Sequence, residues 1–165
     1  MIDQDILNKA LACYKKIKES NFKIAIAESC SGGLLSFLFT TISGASTILD
    51  CAFVTYSNNS KSKILGVQEE TLRNYGAVSK EVANEMARGT LLRSNANIAV
   101  AITGIAGPDG GSSCKPVGLV YISCMLSKIN IDCKEYHFNY SDRNKIQVAA
   151  VDAALDFILD RIENA

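Results

Sequence analysis

Lys23-Ile-Ala-Ile-Ala-Glu-Ser-Cys-Ser-Gly-Gly33 is the stretch whose reading decides the fold. The β-formers Ile24 and Ile26 run into small polar residues, then into Gly32 and Gly33, then into the apolar Leu34, Leu35, Phe37 and Leu38. That order predicts strand, tight turn, helix. Glu28, Ser29, Cys30 and Ser31 then lie between a strand's C-terminal end and a helix's N-terminal end, where unpaired backbone N–H groups and the positive end of the dipole suit an anion or a developing oxyanion. A plainer reading stays open beside this one: serine as a helix cap and Gly-Gly as a turn.

Outward from that stretch, the apolar residues of the chain alternate between strand and helix periods. A helix is predicted from about Asp3 to Glu19, with Ile6, Leu7, Ala10, Leu11, Tyr14 and Ile17 on one face. Cys51 to Tyr56 reads as a short strand, followed by polar turn chemistry through Lys63 and a short helix toward Leu65. Ser79 is placed to cap a helix reaching about Leu92. Asn97 to Thr103 is apolar on both faces, as a central parallel strand is. It empties into the long glycine-rich loop from Gly104 to Pro116. Val117 to Met125 and Ile131 to Phe138 read as a strand pair around Ser127-Lys128. Asp142 caps a last helix to about Ile162, with Ile146, Ala150, Ala153, Phe157 and Ile158 inward. The expectation is a single α/β domain over residues 1–165: a three-layer α/β/α arrangement with a mainly parallel sheet plus an antiparallel strand pair.

Composition narrows the function classes. Of 165 residues, 48% are hydrophobic and 21% charged, enough to bury a core. Lys+Arg and Asp+Glu stand at 17 each, so no overall field draws nucleic acid or an anionic membrane. Six cysteines without a Cys-x-x-Cys pair, and His137 as the one histidine, give zinc little to bind. The cysteines read as reduced, mostly buried thiols. Asp3 and Asp5 before a mixed helix do not resemble a secretory signal, and no apolar run approaches a membrane span. A soluble cytoplasmic protein is expected.

Ligands of open α/β sheets bind beyond the strands' C-terminal ends, and the loops after Ala27, Tyr56 and Thr103 all leave predicted strand ends. If those strands are parallel neighbours, one pocket collects the hydroxyls of Ser29, Ser31 and Tyr56, the amine of Lys61 and a glycine-rich anion cradle. A serine needs a base to become a nucleophile, and a lone histidine late in the chain makes a Ser-His pair a poor fit. A lysine can serve instead. Bringing it from its usual ~10.4 to ~7–8 takes roughly 4 kcal/mol of desolvation and neighbouring charge. Tyr56 is placed to relay a proton to a leaving amine. The plainer reading is that Tyr56 edges the core and that Lys61 and Lys63 are solvated.

Ala27-Glu-Ser-Cys-Ser-Gly-Gly33, Val54-Thr-Tyr-Ser-Asn58 with Lys61, Gly76-Ala-Val-Ser79, Thr103-Gly-Ile-Ala-Gly-Pro-Asp-Gly-Gly111 and Lys115-Pro-Val-Gly118, in this order, resemble the CinA C-terminal-domain family. The resemblance implies a nicotinamide-nucleotide amidase, which hydrolyses the carboxamide of nicotinamide mononucleotide to nicotinate mononucleotide and ammonia. It implies Ser29 as nucleophile, Lys61 as base and Tyr56 as relay, with neither metal nor organic cofactor. Ser31, Gly32, Gly33, Thr103, Gly104, Gly107, Gly110 and Gly111 would line the substrate site, and Arg143 would meet the phosphate. Two departures bear on ligand contacts: Ser31 stands where many members carry threonine, and the small residue usual before the Asp142-Arg143 pair is absent. Self-association is implied as well. Full-length CinA proteins add an N-terminal nucleotide-processing domain, whose activity is not expected of this stand-alone form. Cys30 is the rival nucleophile, expected to point from the turn into packing. Two other functions stay open: a catalytically silent nucleotide- or phosphate-binding module, and an amidase for another small amide.

Overall fold

A computed structural model describes residues 2–127 and 130–164 of the chain. Helix α1 (Gln4–Glu19) starts where Asp3 accepts a hydrogen bond from the Ile6 N–H at 3.1 Å. It buries Ile6, Ala10, Cys13, Tyr14 and Ile17. Leu11, expected inward, is exposed, because its direction lies about a quarter-turn from the line through Ala10, Tyr14 and Ile17; Cys13 takes the inward place.

Strand β1 (Ile24–Glu28) is buried along its whole length. Around it the sheet runs β2 (Leu49–Val54), β1, β3 (Ile98–Gly104), β4 (Leu119–Leu126), β5 (Asn130–His137). The β1–β2 and β1–β3 pairings are parallel, and β3–β4 and β4–β5 are antiparallel. The sheet is therefore mixed, with the antiparallel pair late in the chain. Ser127 turns out of β4 with positive φ, and the Lys128 half of the expected turn lies outside the described residues.

The two faces of the sheet carry different side chains. Ile24, Ile26, Ile98, Val100 and Ile102 face α1, α2 (Leu34–Thr40) and α6 (Arg143–Glu163) in the larger core. Ala27, Ala99 and Ala101 face α5 (Lys80–Leu92) with Val82, Met86 and Ala87. Small residues on that face let α5 lie close. At Gly89 of α5 an added Cβ would stand 1.8 Å from the Leu65 carbonyl oxygen, so only glycine permits this contact with the segment that carries Lys61.

Ser79 caps α5 by accepting from the Val82 N–H at 3.2 Å, and Asp142 caps α6 by accepting from the Asn144 N–H at 2.8 Å. In α6, Ala154 rather than Ala153 is fully buried. After β2 the chain makes the short α3 (Asn58–Ser60), a π-helical turn over Lys61–Leu65, and α4 (Glu69–Tyr75). No sequence expectation covered α4: none of its residues is buried, so it carries no apolar stripe. No helix among the described residues is long and apolar enough to cross a membrane.

Candidate active site

The turn after β1 is rigid. The Ser29 N–H donates to the Ile102 carbonyl at 3.0 Å, and the Gly32 N–H to the Ser29 carbonyl at 3.0 Å. Gly32 and Gly33 both take positive φ, which folds the chain back at no side-chain cost. Helix α2 begins only at Leu34, two residues later than a Ser31 cap would start it. Its cap is Glu28. That fully buried carboxylate accepts from the Gly33 and Leu35 N–H groups at 3.1 Å each, and from the Ser36 N–H and hydroxyl at 2.8 Å each. The expected anion site at the start of this helix is therefore filled by the protein's own carboxylate, and its N–H groups are not free to hold an oxyanion. Of the turn's own groups, the Cys30 and Ser31 N–H groups have no backbone acceptor among the described residues.

Lys61 opens the π-helical turn, behind a capping box made by Ser57 and Ser60. Its side chain runs inward and is 1% exposed. The Nζ atom lies 3.0 Å from Ser29 Oγ, 2.8 Å from the Thr55 carbonyl and 3.3 Å from the Tyr56 carbonyl. Burial lowers its pKa from 10.5 to about 8. The neutral amine suits this setting: two carbonyls take its two hydrogens, and its lone pair is left facing the Ser29 hydroxyl. Cys30 differs. It packs in the larger core at 4% exposure, and burial pushes its thiol up to about 12, far from a thiolate.

Ser29 and Lys61 open on a cavity of about 240 Å³, also lined by Tyr56, Ala77, Val78, Thr103, Arg143 and the Gly104–Gly110 loop. Parallel pairing of β1 with both β2 and β3 brings these loops to one sheet edge. Thr103 Oγ1 donates to the Ala77 carbonyl at 2.8 Å, and Lys115 Nζ donates to the Val78 carbonyl at 2.7 Å, tying the Ala77–Val78 wall to β3 and to the glycine-rich loop. Gly104, Gly107 and Gly110 line the cavity; Gly111, Ser31, Gly32 and Gly33 lie outside its lining. Ser31 Oγ is buried without a partner, and Gly33 faces Val54.

The tyrosine hydroxyl does not join the Ser29–Lys61 pair. Tyr56 contributes its backbone carbonyl to Lys61, while its ring is 58% exposed and its hydroxyl accepts from Arg143 Nη2. Arg143 also donates from Nη1 to the Gly107 carbonyl at 2.6 Å. Among the described residues, no group of three His, Cys, Asp or Glu side chains is placed to hold a metal ion.

Residues 7–162 match the family model for the CinA C-terminal domain. The chain belongs to the CinA C-terminal-domain family. It is 45% identical over 159 residues to a CinA-like protein of Syntrophomonas wolfei, covering 96% of this chain and 37% of that one. A CinA-like protein of Syntrophobacter fumaroxidans is 47% identical over 141 residues, which is 86% of this chain and 33% of that protein. The chain thus spans about a third of the length of these curated relatives. Among solved structures, the competence/damage inducible protein CihA from Agrobacterium tumefaciens superposes with a TM-score of 0.94 at 41% identity, over 97% of both chains. A CinA superfamily protein from Klebsiella pneumoniae gives 0.94 at 28% identity, over 98% of this chain and 100% of that one. The mixed α/β sheet is thus a CinA-superfamily fold. Within this CinA domain the residue that sequence reasoning missed is Glu28. Its signal was a carboxylate just ahead of a Gly-Gly turn that offers the next helix no other side-chain cap.

Proposed function

We propose that this CinA domain is an amidase acting on nicotinamide mononucleotide through Ser29 and Lys61. The observation that carries the reading is the buried Lys61 amine, 3.0 Å from Ser29 Oγ and lowered to about 8. A lysine in that state accepts a proton near neutral pH. Lys61 removes the Ser29 proton as Oγ bonds to the carboxamide carbon. The Cys30 N–H, directly after the nucleophile and unclaimed by the backbone, is a donor available to the oxyanion. Collapse breaks the carbon–nitrogen bond, the proton held by Lys61 passes to the departing nitrogen, and ammonia leaves. Water, deprotonated by the same amine, then hydrolyses the nicotinoyl ester and restores Ser29. The phosphate goes to Arg143, which no carboxylate pairs among the described residues.

The test is ammonia release by the purified chain from nicotinamide mononucleotide, with nicotinamide and glutamine as alternatives. Release from the nucleotide, and its loss in Ser29→Ala, is the expected result. Release from glutamine alone would move the activity to another small amide. Substrate binding without release would make the chain a silent module.

A further inference from the structure

Arg143 and Tyr56 lie 87 positions apart in the sequence and meet at the mouth of the cavity, hydroxyl to guanidinium. The guanidinium is always charged, yet its partners here are neutral: the Tyr56 hydroxyl and the Gly107 carbonyl. Tyr56 meanwhile has its carbonyl against Lys61 and its ring mostly in solvent, so its side chain can turn while its backbone stays fixed. The cavity behind the pair, at about 240 Å³, is smaller than the ~300–1,000 Å³ of pockets that enclose a drug-sized ligand.

Resting on the amidase reading above, we propose that Arg143 and Tyr56 form an anion-released latch: the substrate's phosphate replaces the Tyr56 hydroxyl on Arg143, and the freed hydroxyl turns inward as a relay, giving its own proton to the leaving nitrogen and taking the one held by Lys61. A phosphate offers a guanidinium two parallel hydrogen bonds with both partners ionised, where the phenol offers one neutral acceptor, so the exchange favours the anion. The phosphate thereby raises the rate of the chemical step as well as the affinity. Remote binding energy is converted into alignment of a proton donor. A substrate without the phosphate leaves Tyr56 on Arg143, and Lys61 must then carry every proton alone. Selection for the phosphorylated nucleotide falls on kcat.

Two measurements on the intact chain decide the matter. The first compares saturating kcat for nicotinamide mononucleotide and nicotinamide riboside. The nucleotide is expected to be faster by roughly 10²-fold, the lower range for a positioned proton donor. Inorganic phosphate added with the riboside should recover part of the difference, and Tyr56→Phe should bring the ratio close to one. The second places fluorotyrosine at position 56 and follows its fluorine resonance as inorganic phosphate is titrated in, with calorimetry to report binding. A resonance that moves with phosphate occupancy supports the latch, and it does so even if neither substrate is hydrolysed, in which case only the amidase reading falls. Equal kcat for the two substrates, a resonance unmoved at saturation, or no binding of phosphate overturns it.

Discussion

At the floor of the cavity Ser29 and Lys61 are 8% and 1% exposed, Ser29 fixed by the Ile102 carbonyl of β3 and Lys61 by the carbonyls just beyond the end of β2; at its mouth Tyr56 is 58% exposed and the glycine-rich loop is largely in solvent. The floor depends on burial, because only a desolvated lysine gives up its proton easily enough to act as a base. The mouth depends on exposure, because a ligand of varying shape must displace what is there. Chemistry that needs a fixed distance is built on strand ends, and recognition that needs movement is built on loops.

Substitutions at the floor can break this contrast, and the largest effect is expected at the nucleophile. Ser29→Ala should lower kcat for ammonia release by about 10⁴-fold or more with little change in nucleotide affinity. Cys30→Ala should stay within a few-fold of wild type. Activity in the first variant and loss in the second would move the chemistry to the thiol. Next comes Lys61→Arg, which keeps the charge and cannot become neutral. A loss of about 10³-fold is expected, and the wild-type rise of kcat/KM through pH 8, tenfold per pH unit below it, should vanish.

Glu28→Gln sharpens the comparison from beneath. The amide keeps the size of the carboxylate but loses one acceptor and the negative charge that holds the α2 N–H groups. The turn that aims Ser29 should loosen, lowering kcat by roughly 10²-fold while KM for the nucleotide, set at the mouth, stays put. An equal rise in KM would show that the two ends are not independent. The last effect is thermodynamic. The Lys61 amine is lowered from 10.5 to about 8 on folding, so the unfolded chain binds the proton more tightly. Folding therefore bears the full penalty below pH 8 and is relieved of it as pH rises from about 8 to 10.5. Chemical denaturation should find wild type gaining about 3 kcal/mol on Lys61→Met across that window.

How much of this was legible in the sequence depends on how local each feature is. The strands around Ile24 and Ile98 were readable from their apolar runs, and Asp3, Ser79 and Asp142 from caps that act within three residues of themselves. Glu28 was not, because its carboxylate reaches N–H groups five to eight positions ahead across a turn. Helix α4 sets only Leu72, partly buried, against the smaller core and leaves no periodic trace. The contact of Tyr56 with Arg143 spans 87 positions, and no local pattern encodes it. Three loops on one topological side gave the place of the cavity. Which groups touch within it was settled by packing: the lysine met the serine, and the tyrosine hydroxyl met the arginine instead.

The central place of β1 also has a consequence in time. Lys23, at its start, donates to the Asn97 side chain 74 positions later, and Ile24 pairs with Ile98. Strand β2 is made soon after β1, but the strand that flanks β1 on its other side is synthesised only after α5. Closing so long a segment is slow. The cavity then waits longer still, for Arg143 at the head of α6 and for Gln147, whose side chain donates to the Cys30 carbonyl at 2.8 Å. A growing chain thus carries its serine and lysine well before the last helix steadies the turn between them, and it should remain inert on the ribosome until α6 has docked.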